Sequence, residues 1–119
     1  IHLGYDDDVS NKDPQVYEEL EDSLHRFKKF HSGPILVAHS NMSVTEEAVS
    51  ILKNNHSNTV GAYPNRGHFV KPDWKFTDDI KPSDYVKSAK KWIDSGAQII
   101  GGCCGIGVEE IKAISILKN

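Results

Sequence analysis

The sequence has little of what marks a secreted, a membrane-embedded or a nucleic-acid-binding protein. It contains two cysteines in 119 residues, too few for the disulfide framework of a small secreted domain. Its longest apolar stretches, such as residues 35–38, are far too short to cross a bilayer. The formal net charge of −3 gives no reason to expect an anionic partner. We therefore predict no nucleic-acid partner and no membrane partner.

The two cysteines, Cys103 and Cys104, are adjacent. Neighbouring residues rarely form a disulfide with each other, because the eight-membered ring strains the peptide between them. Free thiols are typical of a reducing compartment, and the opening residues do not resemble a signal peptide. We therefore expect a cytoplasmic protein.

Short apolar runs alternate with amphipathic stretches four times along the chain. The apolar runs predict buried strands at residues 1–5, 35–38, 59–62 and 98–101. The amphipathic stretches predict helices over about residues 14–30, from a cap at Ser43 or Thr45 through Leu52, from a cap at Ser83-Asp84 to Gly96, and over 108–117. Residues 63–82 predict a long irregular loop.

Four consecutive βα units imply an α/β fold with a parallel sheet and right-handed crossovers. Two architectures fit this pattern: a small doubly wound sheet, or half of a (β/α)8 barrel. Both place their sites at the C-terminal ends of the strands. The polar segments after the second, third and fourth strands are therefore expected to meet at one edge of the sheet.

The fourth strand runs into Gly101-Gly102-Cys103-Cys104-Gly105. The glycines let the backbone turn sharply and approach other groups closely. Thiols at this position, near the N-terminus of the next helix, are expected to have a lowered pKa. Two such thiols can bind one soft ion such as zinc if other loops supply further ligands. The alternative is that both cysteines are small buried hydrophobic residues.

A second polar segment follows the third predicted strand. Pro64 and Gly67 shape a loop in which Tyr63, Asn65 and His68 present polar groups to the same rim. Taken alone, this segment indicates a turn.

These segments together resemble the homocysteine S-methyltransferase family. The most specific stretch is residues 92–105, in which Trp-Ile-Asp-Ser-Gly-Ala leads into Gln-Ile-Ile-Gly-Gly-Cys-Cys-Gly. The Tyr63-Pro64-Asn65-x-Gly67 loop, Trp74 and the closing helix over 108–114 match as well. The matching positions run from about residue 35 to residue 114.

The resemblance implies the C-terminal half of a (β/α)8 TIM barrel, with residues 1–119 as a single partial domain. It also implies a zinc ion, held by three cysteines, that binds the homocysteine sulfur as a thiolate. The sulfur then attacks a methyl group on a cationic or carrier donor, and methionine is the product. The residues implied are Cys103 and Cys104 as zinc ligands, and Tyr63, Asn65, Gly101 and Gly102 as substrate-binding positions.

The third zinc ligand is left open by the sequence. In the family it is a cysteine that follows an Asn at the end of the second strand. Aligning on the Asn places Met42 at that position, whereas counting along the strand places Asn41 there. Neither side chain is a good zinc ligand. His39 is chemically able to complete a His-Cys-Cys site, and we predict it as the third ligand.

The chain is also short for a barrel of this type, which normally takes about 250 residues. Four βα units leave two sheet edges unprotected. We therefore expect that the protein requires the upstream barrel half or forms homo-oligomers. Two other hypotheses are a non-catalytic half-barrel that acts as a binding or assembly subunit, and a thiol redox or metal-handling protein.

Overall fold

The computed structural model describes residues 2–4, 20–66, 69–70, 75–76 and 80–118. Strands and helices alternate along the chain, as the periodicity predicted. The elements are β1 (His2–Gly4), α1 (Leu20–Phe27), β2 (Ile35–Asn41), α2 (Met42–Asn55), β3 (Val60–Asn65), β4 (Phe69–Val70), β5 (Lys75–Phe76), α3 (Pro82–Asp94), β6 (Ile99–Ile100) and α4 (Val108–Ile114), followed by a 3-10 turn (Ser115–Leu117). None of the helices in this part of the chain is long and apolar enough to span a membrane.

The main sheet has four parallel strands in the order β1-β2-β3-β6. The two remaining strands, β4 and β5, form a separate antiparallel pair between β3 and α3. The order within the main sheet follows the chain. A doubly wound sheet instead reverses its order at a switch point, and the four strands described contain no such reversal.

The helices form one layer on one face of the sheet. Right-handed crossovers between successive neighbouring strands place their helices on the same side. Consecutive helices accordingly contact each other, α1 with α2, α2 with α3, and α3 with α4. The core lies between the two layers, where Ile35 and Val37 of β2 and Val60 and Ala62 of β3 meet the fully buried side chains of the helices. Trp92 of α3 also belongs to this core.

The first helix ends earlier than the sequence indicated. α1 stops at Phe27, and residues 28–30 form a turn in which Phe30 is exposed. Leu20 and Leu24 are buried as expected from their helical spacing. The predicted start of this helix at residue 14 lies outside the described residues.

Both predicted helix caps were wrong. Asn41, not Ser43 or Thr45, caps α2, and its Oδ1 accepts the backbone N–H of Ser43 at 3.2 Å. A side chain one residue before the helix can reach this N–H, which has no partner within the helix. Lys81 precedes α3, with Pro82 in the first turn, where its missing N–H costs nothing.

The predicted long loop begins later than expected. β3 extends through Asn65, so Tyr63 and Asn65 lie on the strand.

α3 ends at Asp94, and Gly96 follows it with a φ of 113°, which confirms the predicted glycine stop. β6 is shorter than its predicted range of 98–101.

Candidate metal centre

The carboxyl ends of β2, β3 and β6 meet at one edge of the sheet. This edge brings together His39 from β2 and the adjacent Cys103 and Cys104 that follow β6. One ligand atom from each of the three residues lies within 4.8 Å of the other two. The sequence separates His39 from the cysteines by more than 60 positions, so the parallel pairing of the strands creates the cluster.

The distances in this cluster are those of three side chains in direct contact. Cys103 Sγ lies 3.4 Å from His39 Nδ1 and 3.9 Å from its Nε2. Cys104 Sγ lies 3.8 Å from the same Nδ1. The two sulfurs are 3.9 Å apart, and both cysteines are free thiols. All three side chains are partly or fully accessible to solvent.

A β-bulge directs His39 towards the thiols. The register between β2 and β3 shifts between Ala38 and Asn41. His39, inside the shift, has a φ of 54°, the left-handed region that non-glycine residues seldom adopt. Such a conformation costs on the order of 1–2 kcal/mol. A bulge re-aims a side chain, and His39 is exposed while Ala38 and Ser40 on either side are buried.

The other two candidates for the third ligand have structural roles. The side chain of Asn41 caps α2, as described above. Met42, the first residue of α2, packs against the hydrophobic core. Of the three candidates for the third ligand, His39 is therefore the one whose side chain lies beside the thiols.

Backbone hydrogen bonds fix the double-cysteine segment against the end of β3. The N–H of Cys103 donates to Pro64 O at 2.9 Å, and Arg66 N–H donates to Cys104 O at 2.8 Å. The N–H of Cys104 donates to Asn65 Oδ1 at 3.2 Å. Asn65, predicted to bind substrate, thus holds Cys104 in place. These bonds extend the β3–β6 pairing past the end of β6 and set where both sulfurs emerge.

The glycines of this segment are required by close contacts. A Cβ on Gly101 would lie 2.2 Å from Tyr63 Cζ, and one on Gly102 would lie 2.2 Å from Ile106 Cγ2. Gly105 has a φ of 78°. Of the positions that the resemblance assigned to substrate, Tyr63 and Gly101 thus pack against each other, whereas Gly102 packs against Ile106.

The expected lowering of the thiol pKa was wrong for Cys104. Burial raises the pKa of the Cys104 thiol, and the neighbouring Cys103 raises it further. At the N-terminus of α4, Glu110 Oε2 accepts the N–H of Gly107 at 2.9 Å. The positive end of this helix is thus next to a carboxylate of its own first turn.

Sequence reasoning missed Tyr85, a fully buried residue of α3. Its hydroxyl donates a hydrogen bond to the carbonyl of Gly101, at the start of the double-cysteine segment. The only signal in the sequence is a tyrosine two helical turns before Trp92, a spacing that indicates a core position rather than a polar contact.

Several predicted positions lie outside the described residues. They are Gly67 and His68 of the polar segment, and Trp74 of the resemblance.

The donor set of this cluster has the composition of a zinc site. With zinc bonds of about 2.3 Å to sulfur and about 2.0–2.1 Å to nitrogen, tetrahedral geometry separates two sulfurs by about 3.8 Å and a sulfur from a nitrogen by about 3.6 Å. The corresponding separations here are 3.9 Å between the sulfurs and 3.4 and 3.8 Å to His39 Nδ1. Three donors leave one tetrahedral position open, as in catalytic rather than structural zinc sites.

A parallel α/β fold with its reactive side chains at the carboxyl ends of the strands defines the class: the arrangement is that of α/β enzymes. Comparison with protein families makes the assignment specific. The model of the homocysteine S-methyltransferase family matches residues 10–117. The chain belongs to this family of enzymes, as its double-cysteine segment indicated.

Individual relatives agree with the family model. The chain is 30% identical to homocysteine S-methyltransferase 1 of Saccharomyces cerevisiae over 97% of its own length and 37% of the yeast protein. It is 37% identical to a homocysteine S-methyltransferase of Bacillus subtilis over 54% of its length and 21% of that protein. A selenocysteine methyltransferase of Astragalus bisulcatus is 28% identical over 57% of the chain and 21% of the relative. The chain thus matches between about a fifth and little more than a third of the length of these relatives.

Proposed function

We propose that this protein is the zinc-binding part of a homocysteine S-methyltransferase, which transfers a methyl group from a cationic or carrier donor to homocysteine and gives methionine. The observation that carries the proposal is the convergence of His39, Cys103 and Cys104 at the carboxyl edge of the sheet, within 4.8 Å of one another. The reaction is inferred from membership of the family, and the site of the reaction is inferred from this cluster.

The three side chains have one role each in this proposal. Cys103 and Cys104 provide thiolate ligands from one rigid turn, and His39 provides an imidazole nitrogen from the bulge of β2. Zinc held by these residues would lower the pKa of a coordinated thiol, so that homocysteine would be available as a thiolate at neutral pH. The ligands are accessible on the solvent side, which leaves room for substrate.

The residues around the cluster orient the ligands and line the substrate space. Asn65 fixes the backbone of Cys104 through its side-chain oxygen. The ring of Tyr63 covers Gly101, whose lack of a side chain allows this contact, and Gly102 leaves room for Ile106 in the same way. We assign these four residues to the wall against which homocysteine binds.

The substitution of an imidazole for a thiolate changes the charge of the centre. With the three cysteines that the resemblance implies, a zinc site carries a net charge of −1. With two thiolates and a neutral imidazole the net charge is zero. A more positive centre holds an anionic substrate sulfur more strongly, so we expect this site to favour the bound homocysteine thiolate.

We further propose that the four βα units are half of a (β/α)8 barrel and that the remaining units of the barrel close it by docking on the β1 and β6 edges. The strand order supports this, because a barrel adds each strand beside the previous one. Large hydrophobic residues are exposed on α4 and after it, at Val108, Ile111 and Ile116. A groove of about 300 Å³ between α3 and α4 has four isoleucines in its lining. These are the surfaces that a neighbouring βα unit would cover.

Metal content tests the catalytic proposal. We expect the purified protein to bind one zinc ion per chain, and Cys103→Ser, Cys104→Ser and His39→Ala each to weaken zinc binding at least 100-fold. Met42→Ala is the matched control, because it removes a neighbouring side chain of the same strand end, and zinc binding should persist. Protein that neither contains zinc nor takes it up on incubation would contradict the proposal and favour a non-catalytic subunit.

Assembly tests the half-barrel proposal. We expect the protein to form a 1:1 complex with a chain that carries the four upstream βα units of the family barrel, measured by light scattering after gel filtration. Ile111→Glu, on the exposed face of α4, should prevent the complex, whereas Phe30→Glu, at an exposed turn after α1, should not. A stable 13.3 kDa monomer that does not bind the chain with the upstream units would contradict this proposal.

A further inference from the structure

Tyr85 links the helix layer to the start of the double-cysteine segment. It lies on α3, its side chain is fully buried, and its hydroxyl donates a hydrogen bond to Gly101 O. Gly101 directly follows β6, and its N–H donates to Ala62 O at 3.0 Å. The chain continues from Gly101 through Gly102 to the two cysteines, which remain bonded to the end of β3.

Gly101 is therefore held from more than one direction. Sheet pairing fixes its N–H, the hydroxyl from α3 fixes its carbonyl, and the ring of Tyr63 closes the space beside its Cα. The fixed carbonyl sets the orientation of the peptide that joins Gly101 to Gly102. Cys103 and Cys104 follow Gly102, so their sulfur positions depend on this peptide.

The surroundings of Tyr85 keep its hydroxyl protonated and in place. Burial raises the pKa of Tyr85, and the negative charge of Glu110 raises it further. The Trp92 ring contacts it edge-on, with the ring centroids 5.5 Å apart and an interplanar angle of 77°. The hydroxyl therefore stays protonated and donates to Gly101 O, and the packing against Trp92 holds the Tyr85 ring in this position.

We propose that Tyr85 is a positioning residue for the zinc centre: its hydroxyl bond to the Gly101 carbonyl sets the orientation of both cysteine ligands. This inference rests on the proposed zinc-dependent function. Groups that orient metal ligands without touching the metal typically change metal affinity 10–100-fold when they are removed. A residue that only fills the core would not do so, because loss of global stability leaves the affinity of the folded protein for zinc unchanged.

The test compares zinc affinities of folded variants by competition with a chromophoric chelator. Tyr85→Phe removes only the hydroxyl and keeps the ring against Trp92, and we expect it to bind zinc 10–100-fold more weakly than the native protein. Leu52→Val is the control, because it shortens a fully buried side chain of α2 away from the centre. It should bind zinc within twofold of the native protein at a comparable loss of thermal stability.

Equal zinc affinity in Tyr85→Phe and in the native protein would overturn the positioning role and leave the zinc function intact. A native protein that binds no zinc would overturn both. A second measurement requires no variant. The hydroxyl proton of Tyr85 should appear in the proton NMR spectrum of the native protein, with a nuclear Overhauser contact to Gly101. A hydroxyl that exchanges with solvent too fast to be seen would overturn the inference even if Tyr85→Phe does not fold.

Discussion

The two ends of the parallel strands use histidine in opposite ways. At the amino ends, His56 Nε2 donates to Gly33 O at 2.8 Å, and His31 Nε2 bonds to Pro34 O at 3.1 Å. Asn58 Nδ2 adds a bond to Ser32 O at 2.6 Å. His56 and Asn58 thus join the loop before β3 to the loop before β2, and His31 stabilises the loop before β2 itself.

At the carboxyl ends the polar side chains meet one another instead. His39 is held in a left-handed backbone conformation and faces Cys103 and Cys104, whose sulfurs have no covalent partner. Strained backbone conformations do not stabilise a fold, and they are concentrated at functional sites. The comparison indicates that one edge of the sheet stabilises the fold and the other is organised for binding.

The largest effect that would sharpen this comparison is expected at His56. The side chain is buried. His56→Ala leaves the Gly33 carbonyl without its hydrogen-bond donor and creates a cavity in place of the imidazole ring. We expect a loss of about 1–3 kcal/mol in the free energy of unfolding, with zinc affinity unchanged. Urea denaturation and a zinc titration measure the two quantities. A loss of zinc affinity in this variant would break the proposed division between the two edges.

A smaller effect of the opposite kind is expected at His39. Glycine adopts a positive φ without strain, so His39→Gly should be more stable than His39→Ala by about 1 kcal/mol. Both variants remove the imidazole, and both should bind zinc weakly. The pair separates strain from ligation, since only the backbone preference differs between them. Equal stability of the two variants in urea denaturation would contradict a strained bulge.

The fold could be predicted from the sequence wherever a pattern was local. Alternating apolar runs and amphipathic stretches gave the order of strands and helices, and Gly96 gave a helix stop. The caps could not be predicted in this way. Asn41 is the last residue of β2 and the cap of α2. Asn41, Ser43 and Thr45 all have side chains that can cap a helix, and the residue at which β2 ends determines which of them does so.

The candidate site could be predicted in part. Cys103 and Cys104 were recognisable because glycines flank two thiols at a strand end. The place of His39 depends on a register shift between β2 and β3, which leaves no mark in the sequence of β2 alone. Tyr85 was missed for a related reason: its spacing places it in the core, and only the structure gives its hydroxyl a partner.

The smallest effect is expected at His31, which forms the same kind of bond as His56 but is less buried. Water can replace the lost donor at Pro34 O, so His31→Ala should cost no more than about 0.5 kcal/mol. Measured beside His56→Ala, this variant tests whether burial, rather than the bond itself, makes the amino edge stabilising. A cost at His31 equal to that at His56 would mean that both bonds contribute alike and that burial does not distinguish them.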